Sequence, residues 1–362
     1  MLTISVPATS ANLGPGFDSI GLALDMQLTL QVLQPSDHWQ IDHPFGDEVP
    51  TDDRNLIIKT ALTLAPDLKP QHLQVDSKIP LARGLGSSST AIVAGLALAN
   101  ELSGQQRSLD ELLVVATQLE GHPDNVAPAI FGGLVVSTAV EQQVHAVKLP
   151  LPNLFASVYV PNEELLTSAS REALPANLPF KQAIAGSSVA NTLVAALATQ
   201  NWEVALPLLE ADQFHEQYRA KLVPALATIR KTAHQLGIMG TYLSGAGPTI
   251  VTLGDYGQLN ELQQKLQTNP ALTGQYHLLP VDAAGLKVQK SWIRLVRLTK
   301  FWYDVFCELW CGHGGIGRRA RLRILSGQLG GSSNLLGRTN EFKSSQSAIL
   351  ALWELFLWKF RF

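Results

Sequence analysis

A segment rich in glycine and serine, residues 80–91, has the residue types of a phosphate-binding loop. It reads PLARGLGSSSTA and directly precedes an alanine-rich, almost uncharged run that is typical of a buried helix. A glycine loop before a helix presents several backbone N–H groups at the positive end of the helix dipole, and phosphate is the common ligand there. The hydroxyls of Ser87 and Ser88 could ligate Mg²⁺. The alternative is that a serine only caps the helix.

This segment is neither of the two best-known nucleotide-binding motifs. No Gly-Lys-Ser/Thr follows the loop, so it is not the P-loop of NTPases. Ser89 stands where a dinucleotide-binding loop has its third glycine. The sequence therefore supports neither a P-loop NTPase nor a Rossmann dehydrogenase.

A polar cluster at residues 120–128, which reads EGHPDNVAP, could take part in metal binding, substrate binding or proton transfer. Glu120 ends a predicted helix, and His122, Asp124 and Asn125 follow within five residues. Carboxylate, imidazole and amide groups so close together favour a functional site. The alternative is an ordinary helix start with Asp124 or Asn125 as its N-cap.

Two further loops are rich in small residues. Residues 7–18 read PATSANLGPGFD, and their small side chains would let the backbone approach a ligand while Asn12 and Asp18 offer polar groups. Residues 243–249 read LSGAGPT. Taken alone, the loop at 7–18 is equally well explained as a turn between strands, and such a turn is the better explanation of residues 243–249.

Strands mixed with pairs of helices must position these loops. Alternating and apolar runs predict strands over residues 2–6, 20–24, 27–32, 72–76, 133–140, 155–160, 241–244 and 250–253. Helical patterns occupy residues 55–65, 90–102, 109–120, 181–199, 203–210, 224–236 and 258–267. This order indicates an α+β fold rather than regular βαβ repetition. We expect two lobes, residues 1–150 and 151–290.

The composition excludes several classes of protein. With 362 residues, 46 % of them hydrophobic, the chain can bury a sizeable core. Two cysteines exclude a disulfide scaffold. The sequence contains no membrane-span candidate and no signal-peptide pattern at its start. Residues 1–290 carry a net charge of −10, which argues against nucleic acid as a partner, and they lack cysteine, which fits a cytoplasmic protein.

Residues 291–362 have a different composition. They carry 11 Lys and Arg against 4 Asp and Glu, both cysteines and five of the seven tryptophans. Cys307, Cys311 and His313 lack the fourth ligand of a zinc site. The basic and aromatic stretches could bind nucleic acid, a membrane or a partner. The abrupt change favours an atypical tail, disordered or produced by readthrough or a frameshift, which the intact mass of the native protein would test.

Four motifs in order give residues 1–290 a family resemblance. They are PATSANLGPGFDSIGLAL at 7–24, GLGSSS at 84–89, EGHPDNVAPAIFGG at 120–133 and LSGAGPT at 243–249. Each is weak alone, but together they resemble the GHMP kinase superfamily (galacto-, homoserine, mevalonate and phosphomevalonate kinases), and most closely its branch that acts on homoserine. The resemblance implies a two-lobed α+β fold, often dimeric, with an N-terminal ribosomal-protein-S5-like lobe and a C-terminal ferredoxin-like α/β lobe.

The same resemblance implies ATP-dependent phosphorylation of the side-chain hydroxyl of L-homoserine to O-phospho-L-homoserine, on the route to threonine. The residues that would bind ATP are Asn55, Pro80, Leu81, Ala82, Arg83, Gly84, Leu85, Gly86, Ser87, Ser88, Ser89, Gly245, Ala246 and Gly247. Ser88 and Glu120 would hold Mg²⁺. The residues that would bind the amino-acid substrate are Asn12, Asp18, His122, Asn125, Thr167, Arg171 and Arg219.

Several points stay open at this stage. Asp124 is a conceivable catalytic base, whereas direct transfer would need only Asn125 to hold the hydroxyl. Gln118 is a second alignment for the metal ligand, although an amide is a poorer ligand for Mg²⁺ than the carboxylate of Glu120. The alternative functions are another small-molecule GHMP kinase, of the mevalonate or sugar type, and a ligand sensor without catalysis on the same fold.

Overall fold

The computed structural model describes residues 1–150, 153–165 and 167–290. The predicted tail, residues 291–362, lies outside these described residues. Two β-sheets with helices packed against them confirm the α+β fold expected from the sequence. None of the helices in the described part of the chain is long and apolar enough to cross a membrane.

The first sheet has seven strands and carries two of the predicted loops. Its central path runs in the order β11-β1-β2-β4-β3, while β5 pairs with both β2 and β6. The strands are β1 (Leu2–Ala11), β2 (Ile20–Pro35), β3 (Gln40–Asp42), β4 (Gln71–Ser77), β5 (Leu134–Val140), β6 (Gln143–Lys148) and β11 (Lys287–Lys290). All pairs are antiparallel except β3 with β4. The last described strand, β11, therefore pairs with the first, β1.

The two strands predicted at residues 20–24 and 27–32 form one continuous strand, β2. The register against β1 shifts between Pro7 and Ala8, which pair with Gln27 and Leu24. This bulge leaves Asp25 and Met26 without a direct partner on β1, so the alternation of apolar residues breaks although the strand continues. The prediction of two separate strands is therefore wrong, because a change of register interrupts the sequence pattern without ending the strand.

Four helices pack against this sheet and against one another: α1 (Leu56–Leu64), α2 (Ser87–Ser103), α3 (Leu109–Glu120) and α4 (Pro123–Phe131). Helix α2 has no charged residue before Glu101, and its residues from Ser89 to Ala99 are almost all buried. It begins three residues earlier than predicted, so the serines of the glycine-rich segment form its first turn.

The second sheet has four antiparallel strands in the order β10-β7-β9-β8. The strands are β7 (Phe155–Pro161), β8 (Thr241–Leu243), β9 (Ile250–Gly254) and β10 (Gly274–Pro280). Numbered within the sheet, this order is 4-1-3-2 with helices in both crossovers, which confirms the ferredoxin-like arrangement. The accompanying helices are α5 (Thr167–Glu172), α6 (Phe180–Ala198), α7 (Trp202–Leu209), α8 (Glu216–Arg219), α9 (Ala225–Gln235) and α10 (Tyr256–Gln267).

Candidate active site

A cavity of about 430 Å³ brings most of the predicted functional residues together. It is formed where the glycine-rich loops meet the start of α4 and the helices α5 and α8. The predicted residues that line it are Asn12, Asp18, Asn55, Leu81, Ala82, Gly84, Gly86, Ser87, Ser88, Ser89, Glu120, His122, Asp124, Asn125, Arg171, Arg219, Gly245, Ala246 and Gly247. Thr167 is the first residue of α5, and its side chain lies outside the described part of the structure.

Helix α2 starts at the cavity without a side-chain cap. Its N-cap is Gly86, in the left-handed region at φ +67°, and no side chain accepts a hydrogen bond from the first turn. The alternative that a serine caps this helix is therefore wrong. Because the first N–H groups of a helix have no partner within it, an uncapped helix start facing a cavity suits an anion.

The loop before α2 is fastened to the third motif. The Ser244 hydroxyl donates to the carbonyl of Gly84 at 2.6 Å, and the Thr249 N–H donates to the carbonyl of Arg83 at 3.2 Å. Gly84 has a φ of +79° and faces the carbonyls of Ser244 and Gly247, so a Cβ there would collide with backbone. The LSGAGPT motif thus holds the phosphate loop in place through these two hydrogen bonds.

Three of the predicted ATP-binding residues, Pro80, Arg83 and Leu85, do not line the cavity. The guanidinium of Arg83 donates to the carbonyls of residues 161 and 162 and forms an ion pair with Glu164 at 3.0 Å. The side chain of Leu85 is buried in the hydrophobic core. The side chains of Arg83 and Leu85 therefore anchor the loop to the surrounding protein and are not directed to a nucleotide.

Asn55 lines the cavity, and both polar atoms of its side chain are bonded to neighbouring backbone groups. Its side-chain oxygen accepts from the Ile57 N–H at 3.0 Å and caps α1, and its amide nitrogen donates to the Pro50 carbonyl at 2.8 Å. The apolar part of the cavity beside it is lined by residues that the sequence did not reveal: His43, Phe45, Val49, Leu56, Val75 and Ile79. This apolar end suits a purine ring.

Glu120, the last residue of α3, contacts the first turn of α2. Its two carboxylate oxygens accept from the hydroxyls of Ser89 at 3.0 Å and Ser88 at 3.3 Å. Gln118, the other alignment for the metal ligand, is exposed and does not line the cavity. A carboxylate and a hydroxyl beside a phosphate-binding helix start are the hard oxygen ligands that Mg²⁺ prefers, so the residues present fit this ion.

The start of α4 forms a hydrogen-bonded group of three side chains. His122 is the N-cap residue, with Pro123 in the first turn, so the expectation that Asp124 or Asn125 caps the helix is wrong. Asp124 is 1 % exposed and accepts from His122 Nδ1 and, at 3.3 Å, from Asn125 Nδ2. The carboxylate of Asp124 thus orients its two neighbours.

The electrostatic surroundings raise the pKa of His122 above its ordinary value. Burial acts in the opposite direction, but the hydrogen bond to Asp124 and the negative charges of Asp124, Asp18 and Glu120 outweigh it. The raised pKa means that a larger fraction of His122 is protonated at a given pH than for a free imidazole. Ligand atoms of Asp18, His122 and Asp124 all lie within 4.8 Å of one another, which makes them a second cluster of possible metal ligands in the cavity.

The first loop is held in a strained conformation by Asn12. Asn12 and Asp18 have φ values of +72° and +55°, in the left-handed region that favours glycine. The Asn12 amide nitrogen donates to the Gly245 carbonyl at 3.0 Å, while its oxygen accepts from the Asp18 N–H at 3.0 Å. Both ends of this side chain are therefore occupied in fixing Asp18 at the cavity.

Arg171 and Asp18 face each other across the cavity. Arg171 Nη2 lies 3.3 Å from Asp18 Oδ1, and both side chains are partly exposed. This ion pair joins α5 to the first loop. A zwitterion that enters here would meet a carboxylate and a guanidinium side by side.

Arg219 is buried, with 2 % of its surface exposed. Nε donates to the Ser170 carbonyl at 3.0 Å, and Nη1 donates to the Gly245 carbonyl at 3.1 Å and to His215 Nδ1 at 3.3 Å. No hydrogen bond among the described residues uses Nη2, so this nitrogen is the one available to a ligand. Burial, assisted by the charge of Arg171, lowers the pKa of Arg219 to about 10.

Two residues that the sequence did not indicate hold Arg219 in place. Phe17 lies under the guanidinium, 5.5 Å from ring centroid to Cζ, and stacks on His215 at 5.1 Å. His215 is fully buried and its Nε2 bonds to the Gly14 carbonyl at 2.9 Å. Because Nδ1 must accept from Arg219, the neutral imidazole with its proton on Nε2 fits both partners.

Comparison with known proteins identifies the class. The model for the GHMP kinases N terminal domain matches residues 55–133, and the model for the GHMP kinases C terminal matches residues 193–271. A mevalonate kinase crystal structure superposes with a TM-score of 0.59 at 16 % identity, over 78 % of this chain and 99 % of that one. These matches show that the fold is that of the GHMP kinases.

The chain belongs to the homoserine kinase family. It is 79 % identical over 291 residues to the homoserine kinase of Lactiplantibacillus plantarum, which is 80 % of this chain and the whole of the relative. The homoserine kinase of Leuconostoc mesenteroides is 52 % identical with the same coverage of both chains. The crystal structure of the homoserine kinase from Cytophaga hutchinsonii has a TM-score of 0.71 at 28 % identity, over 80 % of this chain and 97 % of that one.

Proposed function

We propose that this protein transfers the γ-phosphoryl group of ATP to the side-chain hydroxyl of L-homoserine, giving O-phospho-L-homoserine and ADP. The observation that carries the proposal is the arrangement of one cavity, in which an uncapped helix start and Glu120 lie beside Asn125 and beside oppositely charged residues at the other end. The names of the relatives agree with this substrate.

The charged end of the cavity suits the amino-acid part of the substrate. The ammonium group would bind the carboxylate of Asp18, and the carboxylate would bind Arg171 together with Nη2 of Arg219. The Asp18–Arg171 ion pair at 3.3 Å would thus open to admit a molecule that carries the same two charges. Since Arg219 has one free nitrogen, it donates to one carboxylate oxygen instead of forming a two-nitrogen fork.

The other end of the cavity suits ATP. The purine would occupy the apolar wall beside Asn55, and the phosphates would accept hydrogen bonds from the backbone of the loop before α2. Ser88 and Glu120 would hold Mg²⁺, which when bound neutralises charge that develops on the phosphate oxygens. Asn55 acts through the shape of the wall, because both polar atoms of its side chain are already bonded.

The transfer itself needs position more than a strong base. Asn125 would hold the homoserine hydroxyl in line with the γ-phosphorus; the new O–P bond forms as the bond to the bridging oxygen of ADP breaks. The hydroxyl proton passes to an oxygen of the transferred phosphoryl group. Asp124 keeps His122 and Asn125 in place, because its carboxylate is buried and bonded to both.

A direct assay tests the function. ADP release should depend on L-homoserine, and phosphorus NMR should detect O-phospho-L-homoserine as the product. Mevalonate and hexoses are the comparison substrates for another kinase of this superfamily. The sensor alternative would be supported if none of these alcohols is turned over. The likeness to mevalonate kinase is one of fold, at 16 % identity.

Removing the charge of Asp18 is expected to alter selectivity. In Asp18→Asn, kcat/KM for L-homoserine should fall roughly 10- to 100-fold, the effect of losing a charged hydrogen-bond acceptor for the ammonium group. Asparagine tolerates the left-handed backbone found at this position, so the loop should keep its shape. Activity with 4-hydroxybutyrate, which lacks the ammonium group, should change little. An equal loss with both substrates would contradict the assignment.

Replacing Arg219 by lysine is expected to weaken recognition of the carboxylate. Lysine keeps a positive charge but cannot bond to Ser170, Gly245 and a ligand at the same time, so KM for L-homoserine should rise about tenfold or more. Activity with 3-amino-1-propanol, which has no carboxylate, should be affected far less. Steady-state kinetics measures both, and the exposed Arg54→Lys is the control. An unchanged KM for homoserine would remove Arg219 from the substrate site.

The proposal includes three further points: the metal ion, the assembly and the location. We propose Mg²⁺ as the metal ion, a homodimer as the assembly and the cytoplasm as the location. Metal titration of the assay, mass measurement in solution and cell fractionation test them in turn. The lobe boundary near residue 150 and the tail at 291–362 stay predictions.

A further inference from the structure

We propose that Thr9 is a positioning residue, which fixes the side-chain amide of Asn125 so that its nitrogen faces the reacting hydroxyl. The inference rests on the proposed function in one respect, namely that Asn125 holds this hydroxyl. Thr9 is fully buried in β1, and its hydroxyl lies 2.7 Å from Asn125 Oδ1. These two residues are 116 positions apart in the chain.

The partners of Asn125 determine which way its amide points. A carboxylate only accepts hydrogen bonds, so the amide atom next to Asp124 Oδ1 must be the nitrogen. The oxygen then faces Thr9, whose hydroxyl donates to it. With one proton of Nδ2 directed to Asp124, the other remains for a ligand. A rotated amide would place two oxygens against each other and offer the substrate the opposite hydrogen-bond character.

Thr9 also ties this amide to the phosphate loop. Its backbone N–H donates to the Leu85 carbonyl at 3.2 Å. Gly86, the N-cap of α2, lies against both side chains: a Cβ there would collide with the Thr9 hydroxyl and come within 3.1 Å of Asn125 Oδ1. The glycine therefore leaves room for the Thr9–Asn125 hydrogen bond. Thr9 thus fixes the position of the Asn125 amide, which would hold the acceptor hydroxyl, relative to the loop before α2, which would hold the phosphates.

The isosteric pair Thr9→Val and Thr9→Ser separates this role from packing. Valine keeps the branched shape that suits β1 and removes only the hydroxyl, whereas serine keeps the hydroxyl. We expect kcat with L-homoserine to fall about tenfold in Thr9→Val, with KM for ATP within about twofold of wild type, the effect of one lost hydrogen bond. Thr9→Ser should recover most of the rate. Thr29→Val, on the neighbouring strand β2, is the matched control.

A double-mutant cycle tests whether Thr9 acts through Asn125. In the background of Asn125→Ala, the change Thr9→Val should cause no further loss of kcat, because the group it positions is gone. Losses that multiply in the double variant, or a Thr9→Val enzyme with the kcat of wild type, would overturn the proposal. Thermal unfolding of each variant shows whether a loss of rate reflects a loss of folded protein.

Side-chain NMR keeps this inference separate from the proposed function. The ¹⁵N amide signal of Asn125 is identified by its absence in Asn125→Ala. It should shift in Thr9→Val and stay near its wild-type position in Thr9→Ser, whatever alcohol the enzyme phosphorylates. An unchanged signal in Thr9→Val overturns the positioning role, whereas a shifted signal in an enzyme that does not phosphorylate homoserine overturns only the choice of substrate.

Discussion

Asn125→Ala is expected to lower kcat for L-homoserine by about 100-fold or more, whereas Asp124→Asn should keep kcat within about tenfold of wild type. The amide of Asn125 lines the cavity, and its nitrogen keeps one proton that no hydrogen bond among the described residues uses. Its removal takes away the contact that aligns the hydroxyl with the phosphoryl group, and alignment carries much of the barrier in phosphoryl transfer.

Asp124 supports that amide from within the protein. It is 1 % exposed and accepts hydrogen bonds from His122 and Asn125, so its carboxylate is committed to orienting them. Asparagine at this position keeps an oxygen acceptor for one of the two neighbours. Single-turnover and steady-state rates at saturating homoserine measure both variants, and thermal unfolding serves as the check on folding. If Asp124→Asn keeps its rate while Asn125→Ala loses it, Asp124 is not the base; an equal loss in the two variants would contradict the prediction.

The parts of the fold that were predicted from the sequence are those with strong local patterns. The uncharged run that becomes α2 and the alternating residues of β1 and β4 indicate their structure without reference to the rest of the chain. The join of two predicted strands into β2 could not be anticipated, because it depends on a bulge against β1. Similarly, the start of α2 at Ser87 depends on how the loop before it is fastened to the third motif.

The same distinction between local patterns and distant contacts applies to the candidate site. Charged residues in glycine-rich motifs, such as Asp18 and Glu120, could be proposed because the motif carries the chemistry in consecutive residues. Thr9, Phe17 and His215 could not be assigned roles, because each acts on a residue that is distant in sequence, and only folding brings the partners together. The sequence shows which groups are present, while their hydrogen bonds show which atoms remain available to a ligand.

Glu120→Gln is expected to reduce the rate at fixed Mg²⁺ by about 100-fold, and to raise the Mg²⁺ concentration for half-maximal rate about tenfold or more. Glutamine keeps the length of the side chain and can still accept from one of the two serine hydroxyls, so the loop before α2 should hold its shape. What is lost is the negative charge, which is the main reason for a hard cation to bind there. KM for L-homoserine should stay close to wild type, because the charged end of the cavity is unchanged.

Gln118→Ala is the matched control for this prediction. Gln118 is exposed on α3, two residues before Glu120, and does not line the cavity. Its replacement should leave both the rate and the Mg²⁺ dependence as they are. If Glu120→Gln behaves like the control, the metal would have to bind elsewhere, and Asp18, His122 and Asp124 form another cluster of possible ligands in the described cavity. In that case Asp18→Asn would shift the Mg²⁺ dependence as well as the homoserine kinetics, so titrating both variants with Mg²⁺ distinguishes a metal held at the phosphate loop from one held at the substrate end.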